Sequence, residues 1–369
     1  MPKLGDLSLE DRAGQLLWIG FEGTRCTAEL LHLIRRVRPG GFVLFGRNIR
    51  SPGQVRALTD SLAGALGVPP FIALDQEGGR VDRLRSILGA SPSPLRLSAL
   101  PGAESAVRRG ATATALALRS LGFNVNFAPV LDLSGPDPAN GIGDRSLGED
   151  PARVARLARI VIAAHLRAGV LPVGKHFPGL GSADADTHLA LPTIRTPGRR
   201  LWDRDLYPYR RLRALLPMVM VGHAYYPGLQ GRRCRPATLS ARVVGTLLRQ
   251  RIRFGGLVLS DDLEMGAIDG AGDAGRVALE CLAAGVDGVM FCRSPEKALR
   301  AHTAIVHAVV SGEIAPARLR ASLGRILALK NRSLGRRARL SSRSLSRARS
   351  VLRKLGAPAE VGPDPTARP

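Results

Sequence analysis

The sequence predicts an α/β fold, namely a single (β/α)8 TIM-type barrel with a basic C-terminal extension. Eight short apolar runs rich in Val, Ile, Leu and Phe recur along the chain. Amphipathic segments with helical spacing alternate with these runs, which is the order expected of parallel strands joined by helices. The runs are apolar at nearly every position, as in strands that are buried on both faces.

The eight runs are the predicted barrel strands, and they are residues 15–21, 40–48, 70–77, 123–133, 171–177, 217–227, 255–265 and 285–293. The amphipathic segments that predict helices between them include residues 27–37, 52–66, 104–122, 151–169 and 240–252. Ser240 is the predicted N-cap of the last of these, because its hydroxyl can accept a first-turn N–H. A doubly wound open sheet is the alternative, but it requires a Gly-rich dinucleotide turn after the first strand, and FEGTRC is not one.

The composition of the chain changes near residue 330. We expect residues 1–330 to form the catalytic barrel and residues 331–369 to form an Arg-rich tail, helical at first and disordered at its end. The chain carries a formal net charge of +24, most of it from Arg. Such a charge can attract nucleic acid or an anionic membrane. The tail contains no aromatic residue on which bases could stack, so nucleic acid is not the favoured partner.

The cysteines and the N-terminus indicate a compartment rather than a function. Four cysteines are scattered without a CxxC pair, which argues against a zinc knuckle or a redox motif. The N-terminal residues do not resemble a signal peptide, and no apolar run is long enough to span a membrane. We therefore expect reduced thiols and a cytoplasmic protein.

Titratable residues stand at the ends of several predicted strands. These residues are Asp75, Asp132, Lys175, His176, His223, Asp261 and Asp262. Any one of them could be a helix cap or a buried structural partner. A buried-strand pattern gives no reason for charge at so many ends, whereas catalytic groups of such barrels lie at the carboxyl ends of the strands. The sequence thus predicts one active site there.

The stretch KHFPGLGSADADTH, residues 175–188, adds a second histidine on a loop. A histidine can act as a general acid and base near neutral pH, and Asp186 is close enough in sequence to orient His188. We predict that the loop, residues 179–187, is mobile and closes over a bound ligand. A metal site from His176, His188 and Asp186 is not favoured by this spacing, and we expect no cofactor. Lys175 at a strand end leaves a Schiff-base aldolase open as an alternative.

Four motifs together resemble family 3 glycoside hydrolases, specifically their bacterial β-N-acetylglucosaminidase (β-hexosaminidase) branch. They are KHFPGLGSADADTH, GGLVLSDDLEMGA, LDQEGGRVDRLR and IGDRSLGED. The segments NFAPVLDL, GFVLFGRN and VGHAYYP resemble framework segments of that family. The resemblance spans about residues 5–330, and the tail has no counterpart in it.

The resemblance implies the catalytic residues. Adjacent strand residues point to opposite sides, so the residues alone leave both Asp261 and Asp262 as candidates for the carboxylate that faces the sugar. The resemblance favours Asp261 as the nucleophile of a retaining glycosidase. It further implies that His188 is the acid/base and that Asp186 is its partner.

Substrate contacts are implied in the same way. Asp75 and Arg83 match residues that bind hydroxyls and the 2-acetamido group, while Arg145, Lys175 and His176 match further sugar contacts. Charged groups suit sugar hydroxyls because charge-assisted hydrogen bonds are strong and directional. Arg80 shares a motif with Arg83 but is a less secure contact. Two departures from the family pattern stand in this loop, and they are Leu180 for a frequent His and Thr187 for a common Ser.

The implied function is that of a retaining exo-β-N-acetylglucosaminidase, a monomer that removes terminal GlcNAc from peptidoglycan-derived or related glycosides. Three alternatives stay open at this point. A phosphorylase or a β-glucosidase of the same family would keep the fold and the nucleophile. A non-catalytic sugar-binding or nucleic-acid-binding protein would keep only the fold.

Overall fold

A closed barrel of eight parallel strands is the centre of the computed structural model, which describes residues 3–134, 141–187, 189–268, 270–335, 337–356 and 364. In chain order, which is also their order around the barrel, the strands are β1 (Leu17–Ile19), β2 (Gly41–Leu44), β3 (Phe71–Leu74), β6 (Val125–Asn126), β7 (Leu171–Phe177), β8 (Met218–Val221), β9 (Leu257–Asp262) and β10 (Gly288–Phe291). Two further strands form an antiparallel hairpin after β3, and they are β4 (Gln76–Gly78) and β5 (Val81–Asp82). Each predicted apolar run contains one barrel strand, so the predicted (β/α)8 fold is confirmed.

Helices surround the barrel. Within the described ranges the α-helices are α1 (Leu9–Gln15), α2 (Ala28–Val37), α3 (Pro52–Gly64), α4 (Arg85–Leu88), α5 (Pro94–Ala99), α6 (Ala103–Ser120), α7 (Pro151–Ala168), α8 (Gly198–Asp203), α9 (Tyr207–Leu212), α10 (Pro227–Gln230), α11 (Ala274–Ala284), α12 (Pro295–Val310), α13 (Pro316–Ser333) and α14 (Ser342–Lys354). A π-helix, Arg242–Arg251, lies between α10 and α11. None of the helices in these ranges combines the length and the apolar character needed to cross a bilayer.

The predicted N-cap at Ser240 is wrong. The π-helix begins at Arg242 with Ala241 at its N-cap, and no side chain caps it. Ser240 ends a short 3-10 turn and has an extended backbone, so the chain enters the helix one residue later than the sequence suggests. Its backbone carbonyl, rather than its hydroxyl, accepts the N–H groups of Val243 and Val244.

Aromatic side chains and one lysine fill the amino end of the barrel. Trp18 of β1 stacks on Phe71 of β3 with ring centroids 5.1 Å apart. Lys330 of α13 is fully buried here, and its ammonium donates to Gln15 Oε1 at 2.7 Å. The amino end is therefore a packed core, which leaves the carboxyl ends of the strands for a ligand.

The basic C-terminal stretch contains the helix α14, Ser342–Lys354. Helix α14 packs on α6 and α4, and its apolar face buries Leu345, Ala348 and Leu352. Arg343 and Arg347 lie exposed on the opposite face. The division of the chain at residue 330 stays a prediction. The predicted disorder concerns residues 356–369, of which Gly356 and Asp364 belong to the described part.

Candidate active site

A cavity of about 250 Å³ lies at the carboxyl ends of the barrel strands. Strand β7 and the segment after β3 supply charged lining residues, strand β9 supplies others, and loops supply the rest. The predicted site residues that line it are Asp75, Arg83, Arg145, Lys175, His176, Asp186 and Asp261. The last predicted site residue, His188, lies outside the described residues, although its neighbour Thr187 also lines the cavity.

A buried cluster of charges forms one wall of the cavity. The Lys175 ammonium contacts the Asp75 carboxylate and donates to Glu77 Oε1 at 2.6 Å. The Arg145 guanidinium donates two parallel hydrogen bonds to Glu77, at 2.8 and 2.9 Å. Buried charges are stable only when they are paired in this way. The network thus holds Lys175, Arg145 and Asp75 in fixed positions before any ligand arrives.

Electrostatics within the cluster keep Glu77 and Arg145 charged. Burial by itself would raise the pKa of Glu77, but Arg145 and Lys175 outweigh burial and hold that pKa well below its usual range. Burial would lower the pKa of Arg145, and Glu77 more than reverses this, so that pKa is raised. Glu77 and Arg145 are therefore fixed charges rather than groups that titrate near neutral pH.

The same ion pairs bear on the aldolase alternative. A Schiff-base lysine must lose its proton, which desolvation or a neighbouring cation favours. Lys175 instead contacts two carboxylates, Asp75 and Glu77, which stabilise the ammonium. The geometry therefore favours Lys175 as a hydrogen-bond donor to a ligand over Lys175 as a nucleophile.

A single buried carboxylate, that of Asp132, fixes the end of β7. Asp132 Oδ2 lies 2.7 Å from His176 Nδ1, and the backbone N–H of His176 also donates to this carboxylate. Asp132 Oδ1 accepts the backbone N–H of Leu180 at 2.8 Å. Because the carboxylate accepts at Nδ1, the proton of a neutral His176 belongs there and Nε2 is left as the acceptor. Asp132 thus sets both the His176 ring and the first turn of the following loop.

The two aspartates at the end of β9 differ in their surroundings. Asp262 Oδ1 accepts the backbone N–H groups of Glu264 and Cys292, at 3.1 and 3.2 Å. Burial, with smaller contributions from Glu264 and Asp261, raises the pKa of Asp262 to about 7. A nucleophilic carboxylate must be ionised. The raised pKa and the backbone contacts of Asp262 therefore favour Asp261 for that role.

The loop after β7 carries Asp186 and begins with a firmly held turn. The Tyr226 hydroxyl donates to the Gly179 carbonyl at 2.8 Å. Leu180 is only 3% exposed, and it also lines the cavity. Family 3 glycoside hydrolases, which the sequence resembles, often have a histidine at this position. Leu180 instead makes this part of the cavity wall apolar.

Arg83 contacts a carboxylate from the far end of the chain. Its guanidinium forms a salt bridge with Asp364, 281 residues away in sequence, and both residues line the cavity. The side chains are 6% and 21% exposed. The ring of Phe45 lies 5.7 Å from the Arg83 guanidinium carbon.

Besides Asp132, two residues that the sequence singled out do not line the cavity. Arg80 donates to Asp144 at 2.8 Å and so holds the turn that carries Arg145. His223 is fully buried between Thr238 Oγ1, at 2.7 Å, and the backbone carbonyl of Asp262, at 3.1 Å. Arg80 and His223 therefore support the site from behind.

Known proteins with a similar sequence assign the family. Residues 8–329 match the model of the glycosyl hydrolase family 3 N terminal domain. The chain belongs to glycosyl hydrolase family 3. The fold, the family resemblance and the enzyme class predicted from the sequence are thereby confirmed, and the protein is a glycoside hydrolase.

Relatives within family 3 span most of the chain. A β-hexosaminidase of Alkalilimnicola ehrlichii is 41% identical over 286 residues, which are 76% of this chain and 81% of that protein. A β-hexosaminidase of Pseudomonas aeruginosa strain LESB58 is 35% identical over 309 residues, which are 84% of this chain and 91% of that protein.

Solved structures of family 3 proteins are also similar. A family 3 β-N-acetylglucosaminidase from Paenibacillus sp. str. FPU-7 has a TM-score of 0.87 at 35% identity, over 94% of this chain and 68% of that one. A β-N-acetylhexosaminidase from Beutenbergia cavernae has a TM-score of 0.81 at 28% identity, over 88% of this chain and 99% of that one.

Several residues of this family 3 site escaped the sequence reasoning. Glu77 stands inside a quoted motif, yet its role as the shared partner of Lys175 and Arg145 has no local signal. Arg47 lines the cavity and donates to the carbonyls of Phe21 and Cys292, although GFVLFGRN was interpreted only as framework. Glu264 and Arg293 also line the cavity and were not predicted. Each is a titratable residue that follows the end of a predicted strand, and that position was the signal that could have identified them.

Proposed function

We propose that the protein is a retaining exo-β-N-acetylglucosaminidase. The observation that carries this proposal is the position of Asp261 in one cavity with the paired charges of Asp75, Lys175 and Arg145. A retaining glycosidase needs an ionised carboxylate against the anomeric carbon and fixed polar groups around the sugar ring. The relatives named β-hexosaminidase support GlcNAc as the sugar.

The charged wall suits a neutral sugar. The Lys175 ammonium and the Asp75 carboxylate are a donor and an acceptor held side by side, the arrangement that adjacent ring hydroxyls can satisfy together. Arg145 and His176 extend the polar surface, and their side chains are almost fully buried. Because these groups are already paired, sugar binding requires little reorganisation of the wall.

In the proposed reaction, Asp261 attacks C1 of the sugar while His188 protonates the leaving oxygen. The glycosidic bond breaks as the Asp261 ester forms, and the aglycone leaves with the proton of His188. His188, now neutral, then takes a proton from water as the water attacks C1 and releases Asp261. Asp186, which lines the cavity two residues before His188, is the proposed partner that stabilises the charged ring.

The proposed role is the removal of terminal GlcNAc from peptidoglycan-derived fragments or related glycosides by a monomeric cytoplasmic enzyme. The cavity is small and is lined by charged side chains as well as apolar ones, which suits one sugar unit and the linkage beside it. A small site of this kind favours exo action, because the rest of a polymer must remain outside the cavity.

The first test is the release of nitrophenol from the β-GlcNAc and β-glucose glycosides. We expect turnover of the GlcNAc glycoside, and a loss of kcat/KM of about 10³-fold or more in Asp261→Ala, since loss of a nucleophile has such effects. Asp203→Ala, at an exposed carboxylate on α8, is the matched control and should keep full activity.

Three other results would contradict the proposal in different ways. Preferred turnover of the glucoside would overturn the sugar specificity. Faster turnover in phosphate, with GlcNAc 1-phosphate as the product, would identify a phosphorylase. Full activity in Asp261→Ala would remove Asp261 from the mechanism.

A further inference from the structure

The substrate cavity contains a residue from the C-terminal end of the chain. Asp364 lies ten residues beyond the last residue of α14, and its carboxylate forms a salt bridge with Arg83 inside the cavity. The family match ends at residue 329, so this carboxylate comes from sequence that the family model does not include. In the proposed function Arg83 contacts the sugar, so the Asp364 carboxylate occupies a position where a ligand group would bind.

The environment of Arg83 favours an anion as its partner. Arg83 is buried, and burial is the main cause that lowers the pKa of its guanidinium, to which Arg145 and Arg47 also contribute. Asp75 and Glu77 act to raise the pKa of Arg83, but both carboxylates are already paired with Lys175. An additional carboxylate at Arg83 therefore relieves unfavourable charge, and its charge-assisted hydrogen bond is stronger than one from a neutral sugar oxygen.

We propose that the C-terminal segment is a tethered competitive ligand of the sugar site, with the Asp364 carboxylate bound to the Arg83 guanidinium that the sugar must reach. This inference rests on the proposed function, in which Arg83 contacts the sugar. Substrate binding and the Arg83–Asp364 salt bridge exclude each other. In the absence of substrate, some sites hold the Asp364 carboxylate and the others do not. The apparent KM then equals the intrinsic KM multiplied by one plus the ratio of the first population to the second.

The tether makes this competition effective. Only seven residues lie between Gly356, at the end of the described segment after α14, and Asp364. A ligand held on a tether of this length has a local concentration of about 1 mM or more. A contact that would be weak between separate molecules therefore occupies the site for much of the time, while saturating substrate still displaces it.

The test compares Asp364→Asn and a chain ending at Gly356 with the full chain. We expect KM for the GlcNAc glycoside to fall about 3- to 10-fold in both variants with kcat unchanged, since only competition is removed. The inhibition constant for free GlcNAc should fall by the same factor. Glu360→Gln is the matched control, because it removes the only other side-chain carboxylate of residues 355–369, and it should leave KM unchanged.

An unchanged KM in both variants would overturn the inference. A raised KM would also overturn it, and would place Asp364 among the groups that bind the sugar. An equal fall in KM for Glu360→Gln would mean that the net charge of the segment acts, rather than the contact with Arg83.

A second readout is independent of catalysis. A synthetic peptide of residues 357–369 is titrated into the chain ending at Gly356 by calorimetry. We expect binding in the millimolar range that is lost when Asn replaces Asp364 in the peptide, and equal or absent binding of the two peptides would overturn the inference. If neither glycoside is hydrolysed, the proposed function fails, while the peptide titration still decides whether the cavity binds the segment.

Discussion

At the residue scale, the site depends on carboxylates that each accept from several donors. Glu77 accepts from Arg145 and Lys175, and Asp132 accepts from His176 and from the backbone of Leu180. In both cases the carboxylate is buried, so its charge is stabilised by these donors rather than by water. Asp132 positions His176, whereas His176 itself lines the cavity.

Asp132→Asn tests this positioning role. The amide offers one oxygen where the carboxylate offered two, so it cannot accept from both His176 Nδ1 and the Leu180 N–H. We expect kcat/KM for the GlcNAc glycoside to fall about 10- to 100-fold, the effect of losing one buried charge-assisted hydrogen bond. Asp60→Asn, at a half-exposed carboxylate on α3, is the control.

A positioning role also predicts how the loss of kcat/KM in Asp132→Asn divides between KM and kcat. Since Asp132 orients a proposed sugar contact and the loop that carries Asp186, both KM and kcat should change. If Asp132→Asn unfolds at a lower temperature but keeps its kinetic constants, the carboxylate only stabilises the fold. That outcome would contradict the positioning role.

At the element scale, the loop after β7 is divided into two parts. Its first turn is anchored, because Gly179 accepts from Tyr226 and Leu180 donates to Asp132. Beyond Ala183, Asp184 is exposed and its carboxylate accepts the backbone N–H of Thr193 at 2.9 Å. The first turn is therefore fixed, and mobility stays a prediction for the residues of the loop beyond it.

Hydrogen exchange with and without GlcNAc tests the predicted closure. We expect the amides of residues 182–187 to exchange more slowly when the sugar is bound, because closure removes them from water. The Leu180 amide, already hydrogen-bonded to Asp132, should be protected in both states. Unchanged exchange of residues 182–187 at saturating GlcNAc would mean that the loop does not close.

At the scale of the whole molecule, the two ends of the barrel differ in how they accommodate charged side chains. The carboxyl end presents paired charges to a cavity, while the amino end encloses Lys330 among aromatic side chains with its ammonium 5.1 Å from the Phe71 centroid. Burial lowers the pKa of Lys330 from 10.5 to about 7. A single hydrogen bond to Gln15 only partly offsets this burial, so the lysine is predicted to cost stability.

Lys330→Met should therefore stabilise the protein in a way that depends on pH. Below pH 7 the lysine is charged in both states, and the folded state bears the full cost of burying the charge. Between pH 7 and 10.5 the unfolded chain binds more protons, so the free energy of unfolding of the lysine protein rises with pH. We expect Lys330→Met to gain about 1–3 kcal/mol at pH 6.5, as for the replacement of buried charge by an apolar group of similar volume.

Urea unfolding at pH 6.5 and pH 9.5 measures both parts of this prediction. The gain should shrink at pH 9.5, where the folded lysine is already neutral. Lys354→Met, at an exposed lysine that ends α14, is the control and should change stability little at either pH. A gain that stays constant between the two values would mean that the buried charge is not its source.

The sequence by itself determined the barrel, because alternating apolar runs and amphipathic segments are local patterns. It also located the site, since charged residues such as Asp75, Lys175 and Asp261 each follow or end a buried run, and parallel strands bring those ends together. Motif identity added Arg83 and Arg145, whose loops carry no such periodic signal.

Only the tertiary structure decided which charges meet. Glu77 joins Arg145 to Lys175, Asp132 joins two points on β7 and its loop, and Asp364 reaches Arg83 across 281 residues. The prediction of an N-cap at Ser240 failed because the sequence pattern does not reveal the 3-10 turn that precedes this residue. Periodicity reports which face of an element is buried, whereas an ion pair depends on distances between elements, and these are set only when the whole chain packs.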